Sequence, residues 1–373
     1  MYAELLKLEE LQAPALLGYV ESKLAEIHHR RNYLGPTILP SDRVEDLSFE
    51  YIVGADRVPV AAHIVEYDSP SPVGRRTGRW DKVSGELLVS KVKLSIRPKE
   101  LLLLRRALES NSREELKRAI RVIYDDVENV VAALAARVEW LRWQALATGK
   151  VLYNSDGIVV ELDYHLPETN VFVTQTDWSD LDNATPLSDL MALCDAIEQA
   201  TGVRPARAVC RLTTWNELIM NKKETKNWVH GAVVTEGGTV YTTNRPVTKP
   251  ELMQLLTALN LPAFTTYDVK VRVEDPITKT VTEQYLIPEN TVVLLPPSSV
   301  EVGRTLFGPT PTEVMDVAGY GTALRTLTEA PRYVVRIYEE GGDTPTIWTL
   351  GEVVAVPALP GINYVGILKT RTA

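Results

Sequence analysis

The order of hydrophobic patterns along the chain predicts an α+β fold, and three observations carry that expectation. Helix-like and strand-like segments follow one another without regular βαβ alternation. One helical pattern runs unbroken for about 36 residues at steps of three and four. The chain holds 373 residues, 45% hydrophobic and 24% charged, enough for two or three units with real cores.

Residues 1–57 read as an N-terminal arm. Leu16, Leu17, Val20, Leu24 and Ile27 recur at helical spacing, and His28, His29, Arg30 and Arg31 follow, where positive charge suits a helix C-terminus. Residues 32–42 are rich in turn formers. Residues 58–99 read as an extended β-hairpin. Residues 60–67 form a strand-like apolar run. Residues 91–97 alternate, with Val92, Leu94 and Ile96 facing one way and Lys91, Lys93, Ser95 and Arg97 the other. Between them, residues 68–85 contain Pro70, Pro72, Gly74, Gly78 and Gly85, with a basic tip of Arg75, Arg76, Arg79 and Lys82. A hairpin with so large a loop is rarely stable alone. Its apolar face is therefore expected to be covered by another subunit. A projecting intersubunit arm fits better than an active-site lid.

Residues 100–205 open with the strongest helix. Ser112 and Glu115 form a capping-box pattern. Leu116, Ile120, Ile123, Val127, Val130, Leu134, Val138 and Leu141 make its stripe, and Gly149 stops it. At ~1.5 Å per residue the rod is ~54 Å long, so it is expected to act as a spine. Residues 158–162 read as a strand, and an acidic loop (Asp177, Asp180, Asp182) leads to a second helix. Thr185 and Pro186 start that helix, Leu187, Leu190, Cys194 and Ile197 line it, and Gly202 ends it. Residues 206–212 are expected as a strand and 214–221 as a short helix. Thr248 and Glu251 make another capping box, ahead of Leu252, Leu255, Leu256 and Leu259. Strands then dominate, at 269–274, 280–286, 291–295, 333–338 and 352–356.

Chemistry is sparse. The net charge of −9 argues against tight nucleic-acid binding, which needs clustered Lys and Arg. Four cations at the hairpin tip suit an acidic neighbour better, the loop Asp177–Asp182 being one candidate. Cys194 and Cys210 lack the spacing of a zinc site or disulfide framework and read as core residues of a reducing compartment. The start lacks a secretion signal, and no window approaches the ~18 apolar residues of a membrane span. There is no phosphate loop and no GxSxG or HExxH motif, and Gly319-Tyr-Gly321 is only a distant approach to a dinucleotide fingerprint. His28, His29, His63, His165 and His230 are scattered. His165 beside Asp163 is the best catalytic pair, though two residues apart on a strand is a common arrangement. Asp125, Asp126 and Glu128 read as a solvated or salt-bridging helix face, and Trp140 and Trp143 as packing. No catalytic residue, cofactor or metal site is expected.

Several segments carry a resemblance. They are Glu139-Trp-Leu-Arg-Trp-Gln-Ala-Leu-Ala-Thr-Gly-Lys150, Pro186-Leu-Ser-Asp-Leu190, Thr214-Trp-Asn-Glu-Leu218, Tyr285-Leu-Ile-Pro-Glu-Asn-Thr-Val-Val-Leu-Leu295 and Gly303-Arg-Thr-Leu-Phe-Gly308. Together with the order of arm, hairpin, spine and mixed tail, the chain resembles tailed-bacteriophage major capsid proteins of the lambda-type capsid E family. The match is best over 139–308.

The resemblance implies the Hong Kong 97-type capsid fold. It would have an N-terminal arm (1–57), an extended loop (58–99), a peripheral domain with the spine (100–205), an axial domain (206–318) and C-terminal strands (319–373) returning to the peripheral domain. It implies pentamers and hexamers of an icosahedral head enclosing double-stranded DNA, assembled in the host bacterial cytoplasm. The extended loop would cross a neighbour, with Arg75, Arg76, Arg79, Lys82, Val92, Leu94 and Ile96 as intersubunit contacts. The stretch before the hairpin is too short for a fused scaffold, so a separate scaffold protein is expected, with a portal and a decoration protein as further partners. Some relatives crosslink a loop lysine to a neighbouring asparagine, and Lys82 lies in the corresponding stretch. The rival readings are an encapsulin-like shell and a lidded hydrolase using His165.

Overall fold

The computed structural model describes residues 13–53, 81–96, 102, 106, 113–155, 158–234, 240–242, 245–274, 281–317, 332–340 and 346–372. In chain order the first elements are α1 (Ala13–Arg31), α2 (Gly35–Ile38), β1 (Ser41–Arg43), β2 (Ser48–Val53), β3 (Asp81–Glu86) and β4 (Leu88–Ser95). The spine α3 (Arg113–Thr148) follows, then β5 (Lys150–Ser155), β6 (Ile158–Asp163), β7 (Val171–Val173), α4 (Pro186–Thr201) and β8 (Arg207–Cys210). Next come α5 (Leu212–Met220), a π-helical turn (Lys222–Lys226), α6 (Asn227–His230), β9 (Ala232–Val234), β10 (Val240–Thr242) and α7 (Lys249–Ala258). The rest comprises β11 (Ala263–Thr266), β12 (Lys270–Glu274), β13 (Val281–Tyr285), β14 (Thr291–Leu295), β15 (Arg304–Phe307), α8 (Pro311–Val317), β16 (Tyr333–Glu340), β17 (Thr346–Ala358) and β18 (Gly366–Lys369).

The spine forms because a long stripe of branched and aliphatic side chains finds one buried face. Ile123, Val127, Val130, Leu134, Val138 and Leu141 are all buried. It ends where expected, at Gly149, whose φ of 70° is the left-handed conformation that favours glycine. A Cβ there would also lie 2.8 Å from Leu166 Cβ. The capping box at Thr248 and Glu251 is present, and Gly202 closes α4 in the left-handed region. Ser112, the expected 60–67 strand, Gly319-Tyr-Gly321 and the tip residues Arg75, Arg76 and Arg79 lie outside the described residues.

The chain divides into two packed units. The first comprises residues 1–49, 85–142 and 304–358. Its sheet runs β1–β15–β17–β16, with β4 also paired to β17. Only the β1–β15 pair is parallel. The 13-residue β17 is the organiser, because it pairs with three other strands. The second unit comprises residues 50–84, 143–303 and 359–373. Its sheet is ordered β11–β8–β14–β18–β7. One core joins Trp178 and the apolar face of α4 to Ala208, Cys210, Trp215, Leu252, Phe264, Leu294 and Leu368. The break expected between residues 205 and 206 therefore falls inside a single packed unit.

The hairpin needs a further correction. Residues 81–85, expected as loop, belong to the strand β3, and its partner is β2 from the expected arm. The alternating strand β4 instead pairs with β17 some 250 residues later, Val92 opposite Gly351 and Leu94 opposite Thr349. The sequence missed this because β3 is polar and because periodicity names a strand's faces without naming its partner.

Candidate assembly surfaces

The apolar face of β4 was the central sequence-level candidate for contact with a neighbour. Directly paired residues point to the same side of a sheet. A Cβ on Gly351 would run into Val130 of the spine and crowd Leu134. Val92, Leu94 and Ile96 therefore lie on the face turned toward their own chain's spine. Ile96 is 1% exposed there, while Val92 and Leu94 remain half-buried. The expectation that this face has no cover until a second subunit arrives is corrected, and for Ile96 the cover is complete within the chain.

The polar face of β4 is also engaged. Lys91 Nζ lies 2.8 Å from the buried Glu352 carboxylate, which also accepts the Thr312 backbone N–H at 3.1 Å. Burial would raise the Glu352 carboxyl, but Lys91 and Thr312 outweigh it and hold it below its ordinary value. Lys93 sits 3.8 Å over the Trp348 ring and 3.4 Å from Glu340. At the foot of the loop, exposed Lys82 pairs with exposed Glu50 on β2 at 2.8 Å. Of the four basic tip residues, Lys82 alone is described.

The N-terminal helix docks on the spine through one carboxylate. Glu128 accepts from Tyr19 at 3.3 Å and pairs with Lys23 at 3.1 Å and Arg30 at 3.5 Å, with the Tyr19 and Tyr124 rings 4.4 Å apart. The salt-bridging reading of this helix face holds for Glu128. Deeper in the same unit, Glu139 and Arg142 are both buried, 3.4 Å apart. Glu139 accepts the Gly35 N–H at 2.8 Å, and Arg142 Nε donates to Thr305 Oγ1 at 2.7 Å. This buried network ties α2, the spine and β15 together. Sequence reasoning missed it, since adjacent charges on a helix look like surface. Burial, and the Arg142 charge beside it, lower the His28 pKa.

In the second unit the acidic loop is used internally. Asp177 accepts from Thr372 N–H and Oγ1, Asp180 from Asn183, and Asp182 pairs with Lys222 at 3.0 Å. Asp163 accepts the His165 backbone N–H at 2.8 Å and pairs with Lys150 at 2.6 Å. Its carboxyl stays below the ordinary value despite partial burial. The carboxylate of the His165–Asp163 pair thus braces a turn. Cys194 and Cys210 are free and buried, and burial pushes both thiols up to about 12. Trp143 is fully buried against Tyr267, ring centroids 4.9 Å apart. An open groove of about 610 Å³ lies along the edge strand β7, floored by Val171, Val173 and Ile367 with Lys369 and Arg371 at its side. Among the described residues, no cluster of three or more His, Cys, Asp and Glu side chains is placed to hold a metal ion.

Comparison with known proteins agrees with this architecture. No curated protein matches the chain in sequence. Among solved structures, a prophage protein of Escherichia coli CFT073 ascribed to the capsid is similar at 16% identity, with a TM-score of 0.59, over 96% of this chain and 99% of that one. A phage-related protein from Bordetella bronchiseptica RB50 is similar at 12% identity, with a TM-score of 0.50, over 94% of this chain and 97% of that one. The family model described as phage major capsid protein E matches residues 20–369. The described core elements from α1 to β18 thus fall almost entirely within that match, and the chain belongs to the phage major capsid protein E family, a major capsid protein with the Hong Kong 97-type fold.

Proposed function

We propose that the chain self-assembles into pentamers and hexamers of an icosahedral tailed-phage head that encloses double-stranded DNA. The observation that carries this reading is the family match over residues 20–369, together with the shared fold. In this reading residues 206–303, within the second unit, gather around the symmetry centres. The part of the extended loop between β2 and β3 crosses a neighbour, with Arg75, Arg76, Arg79 and Lys82 meeting an acidic surface. Val92 and Leu94, half-buried in one chain, add only their remaining exposed edge. The net charge of −9 supports a wall that encloses DNA without sequence-specific grip. A separate scaffold protein, a portal and a decoration protein complete the partners, with assembly in the host bacterial cytoplasm.

The test is expression of the chain in bacteria, alone and with the scaffold gene beside it, followed by electron microscopy of the purified material. Closed shells or capsomers are expected. A chain that remains monomeric in both cases contradicts the proposal.

A further inference from the structure

The last turn of α1 carries four basic residues, His28, His29, Arg30 and Arg31, and they do not sit alike. His29, Arg30 and Arg31 are exposed, as charges at a helix C-terminus should be, whereas His28 is half-buried. Its imidazole lies against the ring of the buried Tyr33, centroids 5.9 Å apart. Two residues beyond Tyr33, Gly35 donates its N–H to Glu139, and a Cβ there would fall 2.6 Å from Arg142 Cδ. The chain leaving α1 is thus pressed onto the buried Glu139–Arg142 pair of the spine, and His28 feels the charge of both. Among the described residues, no group is hydrogen-bonded to its imidazole.

A proton added at this point meets an unfavourable field. Arg30 and Arg31 follow directly in sequence, and Arg142 faces His28 from the spine. The carboxylate on that side, Glu139, already accepts from Gly35 and pairs with Arg142. Tyr33 and Tyr333 of the same cluster supply no negative charge, because burial raises both phenols. Burial is the main cause that holds the imidazole below its ordinary value, Arg142 adds to it, and Glu139 opposes it. The neutral ring is the form that fits.

We propose that His28 is a proton-sensitive latch between the N-terminal helix and the spine, closed while its imidazole is neutral and loosened when the ring takes a proton. The latch acts within one chain, so it goes beyond the shell reading and does not depend on it. Val20 and Ile27 are buried and hold the rest of α1 whatever the pH, so the response is a graded loosening of its last turn. Closure selects the neutral ring and binds fewer protons than the released helix. Its strength is therefore complete above the ordinary imidazole value of about 6.5 and falls as pH drops below it. The fall is up to roughly tenfold per pH unit and ends once the docked ring is itself protonated.

Hydrogen exchange of the full chain, read by mass spectrometry between about pH 7.5 and 5, tests this across the range where histidine titrates. Protection factors, corrected for the intrinsic pH dependence of exchange, would be compared for wild type, His28→Gln and His29→Gln. In the wild type, protection at the end of α1 should fall several-fold toward acid, while β14 and β18 keep theirs. His28→Gln should abolish the slope, at whatever level of protection it starts, and His29→Gln should retain it. A wild-type slope in His28→Gln, its loss in His29→Gln or its absence from the wild type would overturn the latch. Equal loss across β14 and β18 would mark general acid unfolding and overturn it likewise.

Discussion

Glu139 and Arg142 show how much a single carboxylate carries when it is buried. Removing one partner leaves the other charged and unsolvated, which costs about 3–5 kcal/mol where such pairs have been broken. Glu139→Ala is therefore expected to lower the denaturant midpoint sharply, and a shift no larger than that of an exposed Glu45→Ala control would refute the role. Glu352 gives a pH signature. Its folded pKa lies below the ordinary value, so the stability it contributes is complete above that value and is lost as pH falls through the folded pKa. Glu352→Gln should flatten the acid limb of the stability curve and leave alkaline stability less pH-dependent than any change at the acid side. An unchanged acid limb would contradict the assignment. Neither residue was legible beforehand, because sequence shows a charge but not its burial.

At the scale of elements, the spine was legible almost to the residue, from Arg113 to Thr148, because one apolar period is sustained along its length and a glycine ends it. The helices at Pro186 and Lys249 were legible for the same reason, through Pro, Thr and Glu at their starts. Short strands such as β1, β7 and β15 were not, since three or four residues hold too little periodicity to stand out. Nor was the partner of β4, which depends on a register set some 250 residues away. That register has a sharp consequence at Gly351, where the sheet meets the spine without room for a side chain. Gly351→Leu should overpack the junction and cost about 1–3 kcal/mol. Calorimetry showing an unchanged melting temperature would mean that the sheet and spine are less tightly apposed than described.

For the whole molecule, the family was legible, while the identity of the assembly contacts was obscured by β4 finding its cover at home. The loop between β2 and β3 remains the element whose removal should separate folding from assembly. Replacing residues 56–79 with a short Gly/Ser linker keeps the Lys82–Glu50 pair and both strands. Such a chain is expected to fold with wild-type circular dichroism and fail to form stable shells; normal particles would refute the loop's intersubunit role. The most direct measurement is sedimentation velocity of the purified full chain over a wide concentration range, with electron microscopy of each fraction. Capsomers and closed particles that grow with concentration are the predicted result. A stable 41.5 kDa monomer at every concentration, with or without its scaffold partner, would contradict the account.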